Sequence, residues 1–325
     1  MDVNNTYSPL LEVNDLAVYY PLKRKLFSKP HFIKAVDGVS FTIGRSEIVG
    51  LVGESGCGKS TLGRAIVKLE EPTRGSIRLD GCDLAGLKGK KLRTMRRKFQ
   101  MIFQDPYGSL NPRMTVRSAL VEVISLHFKL SPAELEARAA ALLELVGLPP
   151  EALNRYPHQF SGGQRQRIGI ARALALEPEL IVADEPVSAL DVSVQASIVN
   201  LLSEIKAKQH TSFLFIAHDL AVVEHISDRI LVMYLGHIVE EAPAAELIAN
   251  PRHPYTRLLL EAVPTLERKE NFGSRNCGEQ PSPADPPAGC PFHPRCPHAM
   301  EKCRLHRPEL SGDTGNGHRC ACFLQ

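Results

Sequence analysis

A glycine-rich segment between residues 53 and 60 has the residue types and the spacing needed to hold phosphate groups. Gly53-Glu54-Ser55-Gly56-Cys57-Gly58-Lys59-Ser60 matches the pattern G-x-x-x-x-G-K-[ST] at every fixed position. Glycines let successive backbone N–H groups point inward without steric cost, so the segment can form a nest for phosphate oxygens. The Lys59 ammonium can bridge the β- and γ-phosphates, and the Ser60 hydroxyl can ligate Mg²⁺. The spacing therefore predicts a nucleoside triphosphate site.

The elements on either side of this loop fit that prediction. The run from Glu47 to Val52 is apolar without alternation, which is typical of a buried strand. Thr61 to Leu69 follows as a predicted helix, whose positive N-terminal end would favour phosphate. Cys57 occupies a variable position and is expected to pack inside, with a redox switch as the alternative. We expect the nucleotide to be bound by Gly53, Glu54, Ser55, Gly56, Cys57, Gly58, Lys59, Ser60 and Thr61.

Two carboxylates follow a second apolar strand. Leu180-Ile181-Val182-Ala183 leads directly into Asp184 and Glu185. Open parallel sheets place ligand groups at the carboxyl ends of their strands, so these side chains would stand beside the phosphate loop. Asp184 is predicted to hold Mg²⁺, and Glu185 to polarise the attacking water. The alternative is a solvated acidic turn, which is common after a strand.

A histidine ends the next predicted strand. His218 follows Phe213 to Ala217 in the same way as the carboxylates follow theirs. A neutral imidazole at this position could contact the γ-phosphate and position the water. A lone histidine at a strand end is more often structural, so its catalytic role depends on the motifs around it.

The remaining pattern predicts an α/β architecture. Helical signals dominate between about residues 115 and 176, where Ser131-Pro132-Ala133-Glu134 is typical of a capped helix start. Strands alternating with helices indicate a mostly parallel sheet with helices on its faces. Further strands are predicted at Leu16–Tyr20, Val39–Ile43 and Phe99–Phe103, and at Gly75–Gly81, which ends in an Asp80-Gly81 turn. Arg229–Glu240 is predicted to be a hairpin that turns near Leu235-Gly236.

Composition excludes several classes of protein. Hydrophobic residues make up 43% of the 325 residues and charged residues 23%, so disorder of the whole chain is excluded. The 39 basic and 36 acidic residues give a net charge of +3, which offers no reason to expect a nucleic-acid partner. No apolar run approaches the length of a membrane-spanning helix, and the polar N-terminus does not resemble a secretory signal. A cytoplasmic location is the resulting expectation.

A second glycine-containing motif allows a comparison with a known family. Ser161-Gly162-Gly163-Gln164-Arg165 stands ahead of a predicted helix and resembles the signature motif of ATP-binding cassette (ABC) ATPases. A helix N-terminus can hold an anion. The resemblance implies that Ser161, Gly162, Gly163 and Gln164 grip the γ-phosphate of a nucleotide bound by another subunit. Phe160 departs from the leucine that commonly precedes the signature serine.

Other motifs of the ABC family follow in the expected order. Tyr20 resembles the aromatic residue that stacks on adenine, with the adjacent Tyr19 as the alternative. Gln104 resembles the glutamine that senses Mg²⁺ and the attacking water, and His218 the switch histidine. Ser188-Ala189-Leu190-Asp191 resembles the D-loop, which implies that Asp191 contributes to nucleotide binding. The implied fold is a P-loop NTPase core of the ABC type with a β subdomain and a helical insert at about residues 106–176.

The C-terminal part resembles a narrower group, the ATPases of oligopeptide and dipeptide importers. The resemblance is carried by the segments at residues 250–259, 278–283 and 286–296. It implies a nucleotide-binding domain over residues 1–265 and a small cysteine-rich extension over residues 266–325. Residues 267–287 are charged and then rich in Pro, Ser and Gly, and they are expected to form a linker.

Six of the eight cysteines fall in this extension, where apolar residues are too few for a hydrophobic core. Such a cluster in a reducing compartment favours a metal over disulfides. The importer ATPases carry cysteines at positions matching Cys290, Cys296, Cys303 and Cys322, which implies a [4Fe–4S] cluster. Zinc, unligated thiols, and Cys320 as the fourth ligand are the alternatives. The nearby histidines are expected to be exposed polar residues: His293, His298, His306 and His318.

The resemblance implies an ATP-hydrolysing subunit of a peptide importer, lying peripherally on the cytoplasmic face of a bacterial inner membrane. Its cofactors would be ATP and Mg²⁺. Its first partner would be a second ATPase subunit, which is identical or homologous. Two transmembrane permease subunits would dock near Gln104 and the helical insert, and a periplasmic solute-binding protein would complete the importer. The alternatives are an ABC ATPase for nickel or another small solute, an export ATPase, a soluble ABC ATPase, and a regulatory nucleotide-binding module.

Overall fold

A computed structural model of the chain describes residues 8–22, 31–105, 108–262, 278–313 and 317–324. The chain divides into a first unit, residues 1–42, 49–85 and 217–325, and a second unit, residues 43–48 and 86–216. Some predicted features lie outside the described residues. They are Pro106 at the start of the helical insert, the boundary between residues 265 and 266, the first half of the linker, and Cys277.

The strands and helices are numbered along the chain. The strands are β1 (Leu11–Pro21), β2 (Phe32–Ile43), β3 (Ile48–Val52), β4 (Arg74–Leu79), β5 (Cys82–Asp83), β6 (Phe99–Ile102), β7 (Leu180–Asp184), β8 (Ser212–Ile216), β9 (Arg229–Tyr234), β10 (His237–Pro243), β11 (Ser311–Asp313) and β12 (His318–Cys320). The α-helices are α1 (Lys59–Ile66), α2 (Gly89–Met95), α3 (Val116–Ser125), α4 (Pro132–Leu145), α5 (Gly162–Leu174), α6 (Val192–Gln209), α7 (Leu220–Ile226), α8 (Ala244–Ala249), α9 (Pro254–Glu261) and α10 (Glu301–Leu305), with 3-10 turns at Pro150–Asn154 and Pro157–Gln159.

The first unit contains a four-stranded sheet in the order β2-β1-β4-β5. Strands β4 and β5 form a tight hairpin, with Leu79 paired to Cys82. The two turn residues, Asp80 and Gly81, both have positive φ, at 52° and 71°. This backbone matches the twist of a two-residue hairpin and favours the Asp-Gly sequence. The predicted turn is therefore confirmed.

A second set of paired strands in the first unit includes β3, the strand that leads into the phosphate loop. Strand β3 pairs in parallel with β9, β9 pairs antiparallel with β10, and β10 pairs antiparallel with β12, which also pairs with β11. The hairpin between β9 and β10 turns at Leu235 and Gly236, as predicted, with φ of 42° and 82°. The C-terminal segment thus adds strands β11 and β12, which the sequence did not indicate.

The second unit is built around the parallel strands β8, β7 and β6. All residues of β7 and β8 are buried, as their continuous apolar runs predict for strands covered on both faces. Helix α4 begins at the predicted cap, because the Ser131 side chain accepts from the Glu134 N–H and Glu134 accepts from the Ser131 N–H. The prediction of mostly parallel strands holds for this unit and for β3 with β9. Antiparallel pairs are β1 with β4, β4 with β5, β9 with β10, β10 with β12 and β11 with β12.

Candidate functional site

The loop after β3 has a backbone that requires glycine at two positions. Gly53 and Gly58 have φ of 156° and 107°, where L side chains are rarely found. A Cβ at Gly53 would lie 2.2 Å from the Met233 carbonyl oxygen, and one at Gly58 would lie 1.9 Å from the Ala35 carbonyl oxygen. Gly56 has φ of 78° with no atom within 4 Å of a Cβ. The loop is therefore pressed against neighbouring backbone at both ends and open at Gly56.

Lys59 is the first residue of α1, at the end of this loop, and is 4% exposed. Its Nζ donates to the carbonyl oxygens of Gly53 and Glu54, at 2.7 and 3.0 Å. The ammonium is therefore held by the loop backbone, at the place where the pattern predicts phosphate binding. Cys57 is 1% exposed, and burial raises the pKa of its thiol. This burial agrees with the expected packing role, because a protonated, inaccessible thiol is unreactive.

Glu54 has two side-chain partners that the sequence did not reveal. Its backbone N–H donates to the Tyr255 hydroxyl, at 2.8 Å. Its carboxylate accepts two hydrogen bonds from the Arg295 guanidinium, at 2.7 and 2.9 Å. Tyr255 lies in the first turn of α9, and Arg295 lies between two cysteines of the C-terminal extension. No local pattern connects either residue with the phosphate loop.

The two candidate adenine-stacking residues, Tyr19 and Tyr20, are both half-buried in β1. The Tyr19 hydroxyl donates to Asp37, and burial together with this contact raises the pKa of Tyr19 to about 12. Successive residues of a strand point to opposite faces, so Tyr20 lies on the other face of β1. Because the Tyr19 hydroxyl is hydrogen-bonded to Asp37, Tyr20 is the better candidate for stacking on adenine.

His218 is exposed and lies directly after β8. The preceding Ala217 N–H donates to the Leu51 carbonyl oxygen, at 3.1 Å. Leu51 belongs to β3, so this contact attaches the segment carrying His218 to the strand that leads into the phosphate loop. Asp219 then caps α7 by accepting from the Ala221 N–H at 2.9 Å.

In the second unit, parallel pairing brings Gln104 and Glu185 together. Ile102 of β6 pairs with Ala183 of β7, so the two strands end at the same edge. Gln104 Nε2 lies 2.8 Å from Glu185 Oε2 and donates a hydrogen bond to it. Asp184, the last residue of β7, is 2% exposed. A carboxylate, an amide and a second, buried carboxylate therefore meet at the ends of β6 and β7.

Glu185 has an unusual backbone conformation for a residue other than glycine. Its φ is 46°, and its N–H donates to the Ile216 carbonyl oxygen at 2.9 Å. Its carbonyl oxygen accepts from the Ser188 hydroxyl at 3.1 Å. These bonds stabilise the turn after β7 and fix where the Glu185 side chain begins.

The signature segment begins a capped helix. Ser161 Oγ accepts from the Gln164 N–H at 3.3 Å, and Gln164 Oε1 accepts from the Ser161 N–H at 3.1 Å. A Cβ at Gly163 would lie 2.4 Å from Val194 Cγ1, so the start of α5 packs closely on the start of α6. Asp191 is the N-cap residue of α6. The signature and the Asp191 turn are therefore neighbours within this unit.

Four cysteines of the extension line one small cavity of about 10 Å³, together with Phe292 and Pro308. They are Cys290, Cys296, Cys303 and Cys322. Burial and the neighbouring thiols raise the pKa of Cys290 to about 11. Cys320 does not line this cavity and is fully buried in β12. Among the described residues, no group of three or more Cys, His, Asp or Glu side chains is spaced to hold a metal ion.

The expectation that the histidines of the extension are exposed is wrong for His318. His318 is fully buried, and its Nε2 lies 2.7 Å from Glu240 Oε1. Strand β12 pairs with β10, which brings the imidazole to this buried carboxylate. Glu240 also accepts from the N–H groups of Arg252 and His253, at 2.7 and 3.0 Å. His293 is half-buried, whereas His298 and His306 are exposed.

A search of the described part of the chain finds no helix with the length and apolar character needed to cross a membrane.

Comparison with known proteins identifies the family. Residues 36–188 match the ABC transporter family, and residues 239–303 match the oligopeptide/dipeptide transporter C-terminal region. The dipeptide transport ATP-binding protein DppF of Haemophilus influenzae is 48% identical over 319 residues, 97% of each chain. The oligopeptide transport ATP-binding protein AppF of Bacillus subtilis is 50% identical over 320 residues, again 97% of each chain.

A solved structure supports the same conclusion. The dimeric post-hydrolysis state of the ATP-binding cassette MJ0796, bound to ADP and Pi, matches with a TM-score of 0.65 and 29% identity. The match covers 72% of this chain and 98% of that chain. The two relatives share about half of their residues with this chain over nearly its full length. The chain therefore belongs to the ABC transporter family, among the ATP-binding subunits that carry the oligopeptide/dipeptide transporter C-terminal region.

Proposed function

We propose that this chain binds and hydrolyses ATP to drive the import of dipeptides or oligopeptides across a bacterial inner membrane. The observation that carries the proposal is its near full-length similarity to dipeptide and oligopeptide transport ATP-binding proteins. The chain would lie on the cytoplasmic face of the membrane, with two permease subunits and a periplasmic solute-binding protein as partners. The permeases would dock near Gln104 and the helical insert, a region where Phe103, Leu126 and Tyr156 are exposed.

The phosphate loop would bind the triphosphate of ATP. Lys59 would exchange its carbonyl contacts for β- and γ-phosphate oxygens, and loop N–H groups would donate to the others. Ser60, Gln104 and Asp184 offer a hydroxyl, an amide and a carboxylate, which are the oxygen ligands that Mg²⁺ prefers. Bound Mg²⁺ would neutralise charge on the phosphates.

Glu185 would act as general base toward the attacking water. Its contact with Gln104 supports this role, because the amide holds one carboxylate oxygen and fixes the direction of the other. His218 would position the water beside the γ-phosphate, and Tyr20 would stack on adenine. Rotation of Gln104 away from Glu185 would then change the orientation of the base.

The complete ATP site would be shared between two cassettes. This chain carries one phosphate loop and one signature motif, and in the composite arrangement the Ser161 segment of each chain closes the site of the other, with Asp191 beside it. The related cassette MJ0796 is dimeric in its state bound to ADP and Pi, which supports this arrangement. ATP would stabilise the closed dimer and hydrolysis would release it, shifting the permeases between two states.

Uptake by cells tests this function. Lys59→Ala removes the ammonium held by Gly53 and Glu54, so nucleotide binding and uptake of labelled peptide should both be lost. Lys208→Ala serves as the control and should transport normally, because it removes an exposed lysine that pairs with Glu204 at 3.1 Å, away from the motifs and from the helical insert. Unchanged peptide uptake with Lys59→Ala would remove the transport role from this chain.

The extension would hold a [4Fe–4S] cluster through Cys290, Cys296, Cys303 and Cys322. Four thiols around one cavity match the Cys₄ donor set of such clusters, which supports this ligand set over one including Cys320. The alternative is a single zinc ion, which would hold its ligand atoms at about 2.0–2.3 Å. A bound cluster would cross-link a segment that has few apolar residues.

Metal analysis tests the cluster. A sample purified without oxygen should contain iron and acid-labile sulfide together. Cys322→Ala should lose both, whereas Cys320→Ala serves as the matched control and should keep them. Zinc in place of iron would contradict the cluster, and loss of iron in Cys320→Ala alone would assign the fourth ligand to Cys320.

A further inference from the structure

We propose that Arg295 of the C-terminal extension is a positioning residue for the phosphate loop and sets the affinity for ATP through Glu54. The inference rests on the proposed function only in taking ATP as the nucleotide. This inference gives the C-terminal extension a role in nucleotide binding, which the sequence of the phosphate loop alone does not indicate.

The contact between Arg295 and Glu54 is bidentate and shielded. The two guanidinium nitrogens Nη1 and Nη2 lie 2.7 and 2.9 Å from the two carboxylate oxygens. The Arg295 side chain is 8% exposed and that of Glu54 is 26% exposed. A parallel pair of charge-assisted hydrogen bonds in this environment fixes orientation and is screened little by salt.

Glu54 occupies a position where its charge matters for ATP. It directly follows Gly53, and its carbonyl oxygen accepts from Lys59 Nζ at 3.0 Å. A carboxylate without its arginine would repel a bound triphosphate and would compete with it for the Lys59 ammonium. Arg295 therefore neutralises the one acidic side chain within the loop.

The extension holds Arg295 in place from two sides. A tight turn carries it, because the Arg295 N–H donates to the Phe292 carbonyl oxygen at 3.0 Å. Phe292 is buried against Tyr234 and Tyr255, with ring centroids 5.3 and 5.5 Å apart. Tyr255 itself accepts from the Glu54 N–H. The same aromatic cluster therefore supports both ends of the ion pair.

The position of Arg295 also links the phosphate loop to the cysteine cavity. Cys296 is its neighbour in sequence, and Cys290 begins the same turn, with its N–H donating to the Cys303 carbonyl oxygen at 2.7 Å. A rearrangement of this turn would move the guanidinium away from Glu54. A change in the cysteine segment would thereby alter the Arg295–Glu54 contact in the nucleotide loop.

A double-mutant cycle on the full-length chain tests the proposal, with a fluorescent ATP analogue as the binding probe. Arg295→Gln should weaken nucleotide affinity about tenfold, equivalent to about 1.4 kcal/mol. It should raise KM for ATP while changing kcat less than about twofold, as for a lost ground-state contact. In a Glu54→Gln background the same substitution should have little effect, because no carboxylate is left unpaired. Arg304→Gln removes an exposed arginine of the same extension and should leave affinity unchanged.

The outcomes separate this inference from the proposed function. Equal losses from Arg295→Gln with and without Glu54→Gln would show a general structural effect and overturn the positioning role, as would an unchanged affinity. If Arg295→Gln does not fold, Arg295→Lys provides the comparison: it keeps the charge but not the two parallel hydrogen bonds, and its affinity should be intermediate. Failure of the unsubstituted chain to bind the ATP analogue would instead refute the proposed function.

Discussion

Replacement of Glu185 by glutamine should abolish ATP hydrolysis while leaving ATP binding intact. The two side chains have the same size, and the glutamine carbonyl oxygen can still accept from Gln104 Nε2, which lies 2.8 Å from Glu185 Oε2. The backbone at this position, with φ of 46°, carries the same strain for either residue. Glu185→Gln therefore removes the ability to take a proton from water and little else.

The expected loss of turnover follows from that single change. A positioned general base contributes about 10²- to 10⁴-fold to the rate, which corresponds to about 2.7 to 5.4 kcal/mol of the activation barrier. ATP affinity should change much less, because the loop residues that would hold the phosphates belong to a different segment of the chain.

Phosphate release and nucleotide binding are measured separately on the same samples. Glu136→Gln is the matched control, since it removes an exposed carboxylate that pairs with Arg117, at 2.8 Å. Such a surface pair contributes about 0–1 kcal/mol, so this control should hydrolyse ATP normally. Full hydrolysis by Glu185→Gln would refute the role of Glu185 as base. Loss of binding together with hydrolysis would show that the carboxylate serves the fold rather than the reaction.

Two further predictions concern stability. Gly58→Ala should lower the melting temperature much more than Gly56→Ala. A Cβ at Gly58 would lie 1.9 Å from the Ala35 carbonyl oxygen, whereas one at Gly56 meets no atom within 4 Å. Equal melting temperatures of the two variants in thermal unfolding would contradict the loop backbone described above. Burial and the nearby Arg307 guanidinium lower the pKa of His237 from 6.5 to about 4. The unfolded chain therefore binds more protons between these pH values, and the free energy of unfolding should fall by at most about 3 kcal/mol as the pH drops through this window. Urea unfolding of His237→Gln should show a smaller fall; the same fall in both proteins would mean that His237 is not buried in its neutral form.

Local sequence patterns predicted the elements whose signals lie within a few residues. The glycine loop, the Ser131 cap and the Asp80-Gly81 turn depend on backbone conformations that only certain residues adopt, so the residue types reveal them. The apolar strands ending at Asp184 and before His218 were also recognisable, since continuous burial leaves no alternation.

Contacts between distant residues could not be predicted in this way. Arg295 and Glu54 are 241 positions apart, and neither lies in a segment whose pattern requires the other. His318 is buried because Glu240, 78 positions away, pairs with it. The extension was expected to depend on a metal because it has few apolar residues, but it also adds β12 to β10 by backbone hydrogen bonds, which any sequence can form.

The central claim is that hydrolysis requires two cassettes. The most direct measurement is ATP turnover per chain as a function of chain concentration, with the molecular mass followed by light scattering in the same samples. Turnover per chain should rise together with the fraction of dimer, or on addition of the partner cassette. Full turnover by a species with the monomer mass of 35.8 kDa would contradict the claim.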